Sequence, residues 1–225
     1  SSDVCSSDLA MLYVIISEPL NLLLKNNTNI TGVVINDICT SLIYQHADDA
    51  TLTVINESSV KEVFTSVDYY CEATGLKLNR EKSEILLLGR APFTCSSHNF
   101  PAPVKQDCIK ILGVYMGPNK TKCNDLNWNT VLSKCKSLLS WWQLRKLTLP
   151  GKATVLNTLL LSKLWYLVSC VSVPETVEKE ITEMCRTFLW GQNKPSRIKS
   201  TTIVGHRLEG GLNIPDIKMK KCAFR

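Results

Sequence analysis

Two adjacent carboxylates, Asp48 and Asp49, lie in the stretch IYQHADDATL, between two runs of strand composition, SLIYQ and ATLTVI. Like charges side by side are costly unless a cation or solvent holds them. At a hairpin tip the pair has two readings. Asp is a common turn former and can simply satisfy backbone groups. It also makes a hard oxygen donor set suited to Mg²⁺, which keeps several waters and completes its octahedron with substrate phosphates. Two such ions roughly 3.5–4 Å apart would activate an attacking 3′ oxygen and stabilise a leaving pyrophosphate. Phosphoryl transfer of that kind asks the protein for positioning and charge rather than covalent chemistry.

Other chemistries are excluded by spacing. The ten cysteines, at 5, 39, 71, 95, 108, 123, 135, 170, 185 and 222, are scattered, with no CxxC and no Cys-His cluster. A zinc site needs ligand pairs a few residues apart, so none is expected. Several cysteines fall on apolar faces of predicted helices, where a thiol acts as a small hydrophobe. That usage suits a reducing, intracellular compartment, cytoplasm and nucleus.

Charge is divided unevenly along the chain. Residues 11–100 hold 6 Lys and Arg against 10 Asp and Glu, whereas residues 101–225 hold 20 against 8. A basic half joined to an acidic one points to a polyanionic partner, most often nucleic acid. The apolar stretch at 153–173 carries Asn157 and Lys163 near its middle, which reads as a buried core helix and not a membrane partner.

The elements that must carry these residues can be read from periodicity. Residues 10–24 suggest a helix, 32–36 a short strand, and the two runs around Ala47-Asp48-Asp49 a hairpin. Ser59 and Glu62 have capping-box spacing, followed by Val60, Val63, Phe64, Val67, Tyr70 and Cys71 at helical intervals and by Gly75 as a left-handed stop. LKLNREKSEILLLG has strand composition, residues 90–107 read as a loop with three prolines, and residues 108–117 read as one strand. From about 125 the period becomes helical. Trp128, Val131, Leu132, Cys135, Leu138, Leu139 and Trp142 form one apolar stripe, a second helix follows Pro150-Gly151, and a third begins near Pro174. The tail, with Gly210-Gly211 and Pro215, reads as irregular. The expected class is α+β: an antiparallel sheet with packed helices, then an all-helical basic part.

In this order the elements resemble the reverse transcriptase of LINE-type (non-LTR) retrotransposons, from Ala10 to Arg225. HADD at 46–49 looks like that family's Y/F-A-D-D turn, with His46 in place of the usual aromatic. TGLKLNREKSE at 74–84 resembles the palm segment that follows, and IKILGVYMG at 109–117 the primer-grip strands. WWQLRKLTLPGKATVLNTLLLSKLWY at 141–166 and FLWG at 188–191 look like the thumb, and GGLNIPDIKMKKCAFR at 210–225 the segment leading out of it.

The resemblance implies a partial palm over 10–117, a helical thumb over 118–191 and a connector over 192–225. The first nine residues, SSDVCSSDL, look like a sequencing-adapter peptide and are expected to be disordered. Asp48 is implied as the main metal ligand and Asp49 as its companion, holding two Mg²⁺ ions in the intact enzyme. Lys82 is either a proton donor to pyrophosphate or a solvated lysine. Leu112, Gly113 and Val114 would hold the primer terminus. Lys134, Lys136, Arg145, Lys146 and Lys152 would face template–primer phosphates, with Trp141 stacking on nucleic acid and Trp142 either stacking or in the core. The implied partners are an RNA template, a DNA primer and deoxynucleoside triphosphates. A third metal-binding aspartate is expected on a strand upstream of Ala10, so this chain alone is expected to hold metal weakly and not to polymerise. The alternatives are a non-catalytic nucleic-acid-binding module and a non-functional relic of a retroelement.

Overall fold

In the computed structural model, residues 6–36, 39–89, 100–192 and 194–224 are described. They form an α+β chain that divides into two compact units, Ser1–Leu112 and Gly113–Arg225.

The first unit opens with helix α1 (Ser6–Asn26); of residues 1–9, expected to be disordered, 6–9 belong to this helix and 1–5 lie outside the described residues. The first half of α1 leaves Met11, Leu12, Val14 and Ile15 exposed, while Leu24 near its end is fully buried. Leu24, Ile30, Leu42 and Val63 make a small core. Strands β1 (Val33–Ile35) and β2 (Cys39–Ser41) pair antiparallel, as do β3 (Ile43–His46) and β4 (Asp49–Leu52).

Helix α2 (Glu57–Thr74) starts earlier than its capping-box pattern predicts. Asn56 is the cap, its side-chain oxygen accepting from the Ser59 amide at 2.7 Å. Asn is as good a cap as Ser, and here it comes first in the chain. Ser59 is thereby left inside the first turn, fully buried, where its hydroxyl accepts from the Thr31 amide at 3.0 Å. Gly75 closes the helix at φ 72°, as its position predicts. The Tyr70 hydroxyl donates to the Ile16 carbonyl at 2.6 Å and ties α2 to α1.

Beyond α2 only two residues of the long strand-like run pair as strand, β5 (Ile85–Leu86). Their parallel partner β6 (Val104–Lys105) falls in the segment read as loop. The run at 108–117 is not one strand but two, β7 (Ile109–Ile111) and β8 (Val114–Met116), interrupted by positive φ at both Leu112 and Gly113.

The second unit is helical. Helix α3 (Lys120–Gln143), α4 (Leu149–Val155), a wide π turn (Leu156–Leu161), α5 (Ser162–Cys170) and α6 (Glu175–Trp190) enclose the larger core. The segment Leu149–Cys170 is long and apolar enough to cross a membrane by composition. Ala153, Leu156, Leu160, Leu161 and Leu164 spend that apolarity in the core, where none is more than 1% exposed. Cys123, Cys135 and Cys185 are buried as small hydrophobes, and burial pushes the Cys185 thiol up to about 12.

The tail is not irregular. Helix α7 (Ser200–Val204), a 3₁₀ turn (Arg207–Glu209) and α8 (Ile217–Ala223) fold back, and Leu212, Ile214 and Ile217 enter the same core. Backbone bonds from Leu212 to Thr202 (3.1 Å) and from Ile214 to Ile203 (3.0 Å) fix the return.

Candidate functional site

The β3–β4 hairpin presents the paired carboxylates. Its register sets Ile43 opposite Leu52, Gln45 opposite Ala50 and His46 opposite Asp49, with Ala47 and Asp48 as the two-residue loop. Ile43 and Leu52 pack on the small core. Strand alternation puts Gln45 and Ala50 on the face of Ile43 and Leu52, and Tyr44, His46, Asp49 and Thr51 on the other. Asp48 and Asp49 are both exposed. Neither carboxylate has a hydrogen bond or ion pair among the described residues. Neighbouring amides therefore do not occupy the pair, and both carboxylates face solvent.

Ala47 holds φ at 50°, a left-handed conformation that costs a non-glycine residue about 1–2 kcal/mol. Ala47→Gly relieves this and adds about 0.5–1 kcal/mol of unfolded-chain entropy to lose. The expected net effect is a gain of about 0.5 kcal/mol, read as a higher urea midpoint for the first unit.

The donors fit a single magnesium ion, which is held by one or two carboxylates, waters and substrate phosphates, but are too few for a pair. Oxygen ligands are correct for Mg²⁺, yet no group of three or more His, Cys, Asp or Glu able to hold a metal occurs among the described residues. The one buried side-chain oxygen of the hairpin without a hydrogen-bond partner, Gln45 Oε1, lies on the face of Ile43 and Leu52, opposite to that of Asp49. Two divalent cations would be poorly held by two carboxylates.

Lys82 is exposed in the turn after α2, where its amide bonds back to Asn79, and its ammonium has no ion pair among the described residues. The nearby Glu84 pairs with Lys105 at 3.6 Å. Leu112 is 46% exposed, whereas Val114 is 1% exposed and belongs to the helical core, so its side chain is a packing group and only its backbone is available to a ligand.

The cations expected to meet phosphates separate into two groups. Lys134, Arg145 and Lys146 are exposed and have no carboxylate partner among the described residues. Lys136 instead pairs with Glu180 at 2.6 Å. Lys152 is drawn inward: its ammonium donates to the Leu189 carbonyl at 2.9 Å and sits 5.8 Å from the Phe188 ring centre, so it serves the end of α6. Trp141 is 74% exposed, and Trp142 is half-buried beneath the Arg145 guanidinium, 5.0 Å from its ring. Overall the unit carries 18 Lys and Arg against 7 Asp and Glu. Four of those acids, Glu175, Glu178, Glu180 and Glu183, are engaged in ion pairs.

One residue that the sequence pattern concealed holds β8 within the helical unit. Asn127, 3% exposed, accepts from the Tyr115 amide at 2.8 Å and donates to the Tyr115 carbonyl at 2.9 Å. Its side-chain amide thus acts as a strand neighbour for β8 and holds the residues after Gly113 against α3. An Asn at a core position of a helical stripe is the available signal, because a buried amide demands partners.

No protein-family model matches the chain. It is 26% identical over 188 residues, 80% of its length, to the Transposon TX1 uncharacterized 149 kDa protein of Xenopus laevis. Over 97 residues, 41% of its length, it is 25% identical to a putative ribonuclease H protein of Arabidopsis thaliana. The chain spans 14% and 16% of the lengths of these two relatives. The similarities support derivation of the chain from a mobile element.

Proposed function

We propose that this chain is the primer–template-holding portion of an RNA-directed DNA polymerase, and that in isolation it binds nucleic acid without polymerising. The observation that carries the reading is the hairpin that holds Asp48 and Asp49 outward and unengaged, joined in one chain to a basic helical unit. Similarity to a transposon protein supports it. The shortage of metal ligands among the described residues supports the second clause. Asp48 and Asp49 would hold the ion, which when bound supplies charge stabilisation to a transferring phosphoryl group. Lys134, Arg145 and Lys146 supply attraction to phosphates that is independent of sequence.

Fluorescence anisotropy with a labelled RNA–DNA primer–template tests this. With three phosphate contacts, log affinity is expected to fall against log salt with a slope of about −2.1 to −2.7, a loss of about 18- to 42-fold between about 50 and 200 mM. Primer extension with Mg²⁺ and deoxynucleotides should give no product from this chain. Absence of salt-dependent binding overturns the proposal, and robust incorporation overturns its second clause.

A further inference from the structure

The corner where α3 runs into α4 combines features that a folded chain rarely leaves in water together. Trp141 is 74% exposed and Leu144, one turn on, is 81% exposed. Of the other tryptophans, Trp128 is 2% exposed and Trp142, Trp165 and Trp190 are partly buried in the core. The exposed indole is flanked by cations. Lys134 lies seven residues before it on the same face of α3, about 10 Å along the axis at 1.5 Å per residue. Arg145 follows one turn after, its guanidinium over the Trp142 ring, and Lys146 is next to it. Among the described residues none of these three cations is neutralised by a carboxylate.

We infer that this corner binds single-stranded nucleic acid, with one base stacked on the Trp141 indole and the adjoining phosphates drawn to Lys134, Arg145 and Lys146. The inference rests on the nucleic-acid reading above and specifies the form of nucleic acid. A duplex satisfies the three cations but keeps its base faces inside its own stack, leaving Trp141 and Leu144 in water. A neutral apolar protein partner would cover the indole but would have to desolvate the cations without return. A single strand offers both phosphate charge and open π faces, and every base has such a face, so no sequence preference is needed.

The full 225-residue chain is titrated with labelled dT12, with U12 and with a 12-base-pair duplex, following anisotropy and tryptophan fluorescence. The single strands are expected to bind more tightly than the duplex and to quench fluorescence. Trp141→Ala should weaken single-strand binding roughly 5- to 150-fold, the range for one stacked base, and abolish most of the quench. Trp141→Phe, which keeps a stacking ring, should restore most of the affinity. Lys134→Gln and Arg145→Gln should each make the salt slope shallower by about 0.7. Trp141 is exposed, so melting curves of its variants should match the parent.

Duplex binding as tight as single-strand binding, or single-strand affinity unchanged by Trp141→Ala, overturns this inference and leaves the wider proposal standing. Loss of binding to every nucleic acid in the parent chain removes both. Self-association that vanishes in Trp141→Ala while single-strand affinity stays constant identifies the corner as a protein contact and also overturns the inference.

Discussion

Replacing Asn127 by alanine is expected to destabilise the helical unit by about 3 kcal/mol, because the backbone N–H and C=O of Tyr115 lose the Asn127 amide in one step. Tyr115 N–H and C=O are both satisfied by the Asn127 amide, at 2.8 and 2.9 Å, in a site where Asn127 is 3% exposed. Partners of opposite polarity also fix which way the amide points. Asn127→Asp separates the two bonds: the carboxylate still accepts from the Tyr115 amide but repels the carbonyl, so it should lie between parent and Ala near acid pH and fall below at neutral pH, where the charge is buried. Asn127→Leu keeps the volume and isolates the hydrogen-bond contribution. The readout is urea unfolding of the second unit, followed by fluorescence of tryptophans that all lie within it. A loss below about 1 kcal/mol in Asn127→Ala, the scale of one ordinary hydrogen bond, would show that β8 is held by Val114 packing alone. Because Val114 is 1% exposed beside this clamp, its release should also expose the turn at Gly113 to proteolysis.

Gly211→Ala is the second large effect, expected to cost about 3 kcal/mol or more. A Cβ at 211 would stand 2.0 Å from the Gly205 carbonyl oxygen, 2.2 Å from its carbon and 2.8 Å from Gly205 Cα. All three are backbone atoms, so no side chain can swing aside. The Gly205 carbonyl is itself held, accepting from the Asn213 amide at 2.9 Å, while the Gly211 amide donates to His206 at 2.9 Å. The two strands of chain cross at contact distance, and the crossing aims Leu212, Ile214 and Ile217 into the core. Gly210 supplies an internal control. It sits at φ 79° with open space around its missing Cβ, so Gly210→Ala should cost only the left-handed penalty, about 1 kcal/mol. Comparable losses from the two substitutions, measured as midpoints of thermal or urea unfolding, would mean that the chain crossing is not tight.

The amphipathic helices and the hairpin were legible because their signals are local. Helical spacing from Trp128 to Trp142 identifies the buried face of α3, and turn chemistry between two strand-like runs identifies the tip that carries Asp48 and Asp49. Even locally, competition blurs the reading. Asn56 and Ser59 are both good caps, and only the packing of Ser59 against the 29–31 loop decides between them. The interruption at Leu112 was hidden because leucine rarely takes positive φ and carries no turn signal.

By itself, the sequence determined the α+β class, the apolar stripes of α2 and α3, the acidic tip and the basic charge of the second half. Each follows from residue type and near-neighbour spacing, which act over a few residues. The tertiary structure alone decided which charges remain available. Lys134, Lys136 and Lys152 look alike in the chain, yet one is open, one is paired with Glu180 and one is spent on the Leu189 carbonyl. It also decided that the tail belongs to the core and that Asn127 clamps β8. Those outcomes depend on partners far apart in sequence, and no local period records who a side chain will meet.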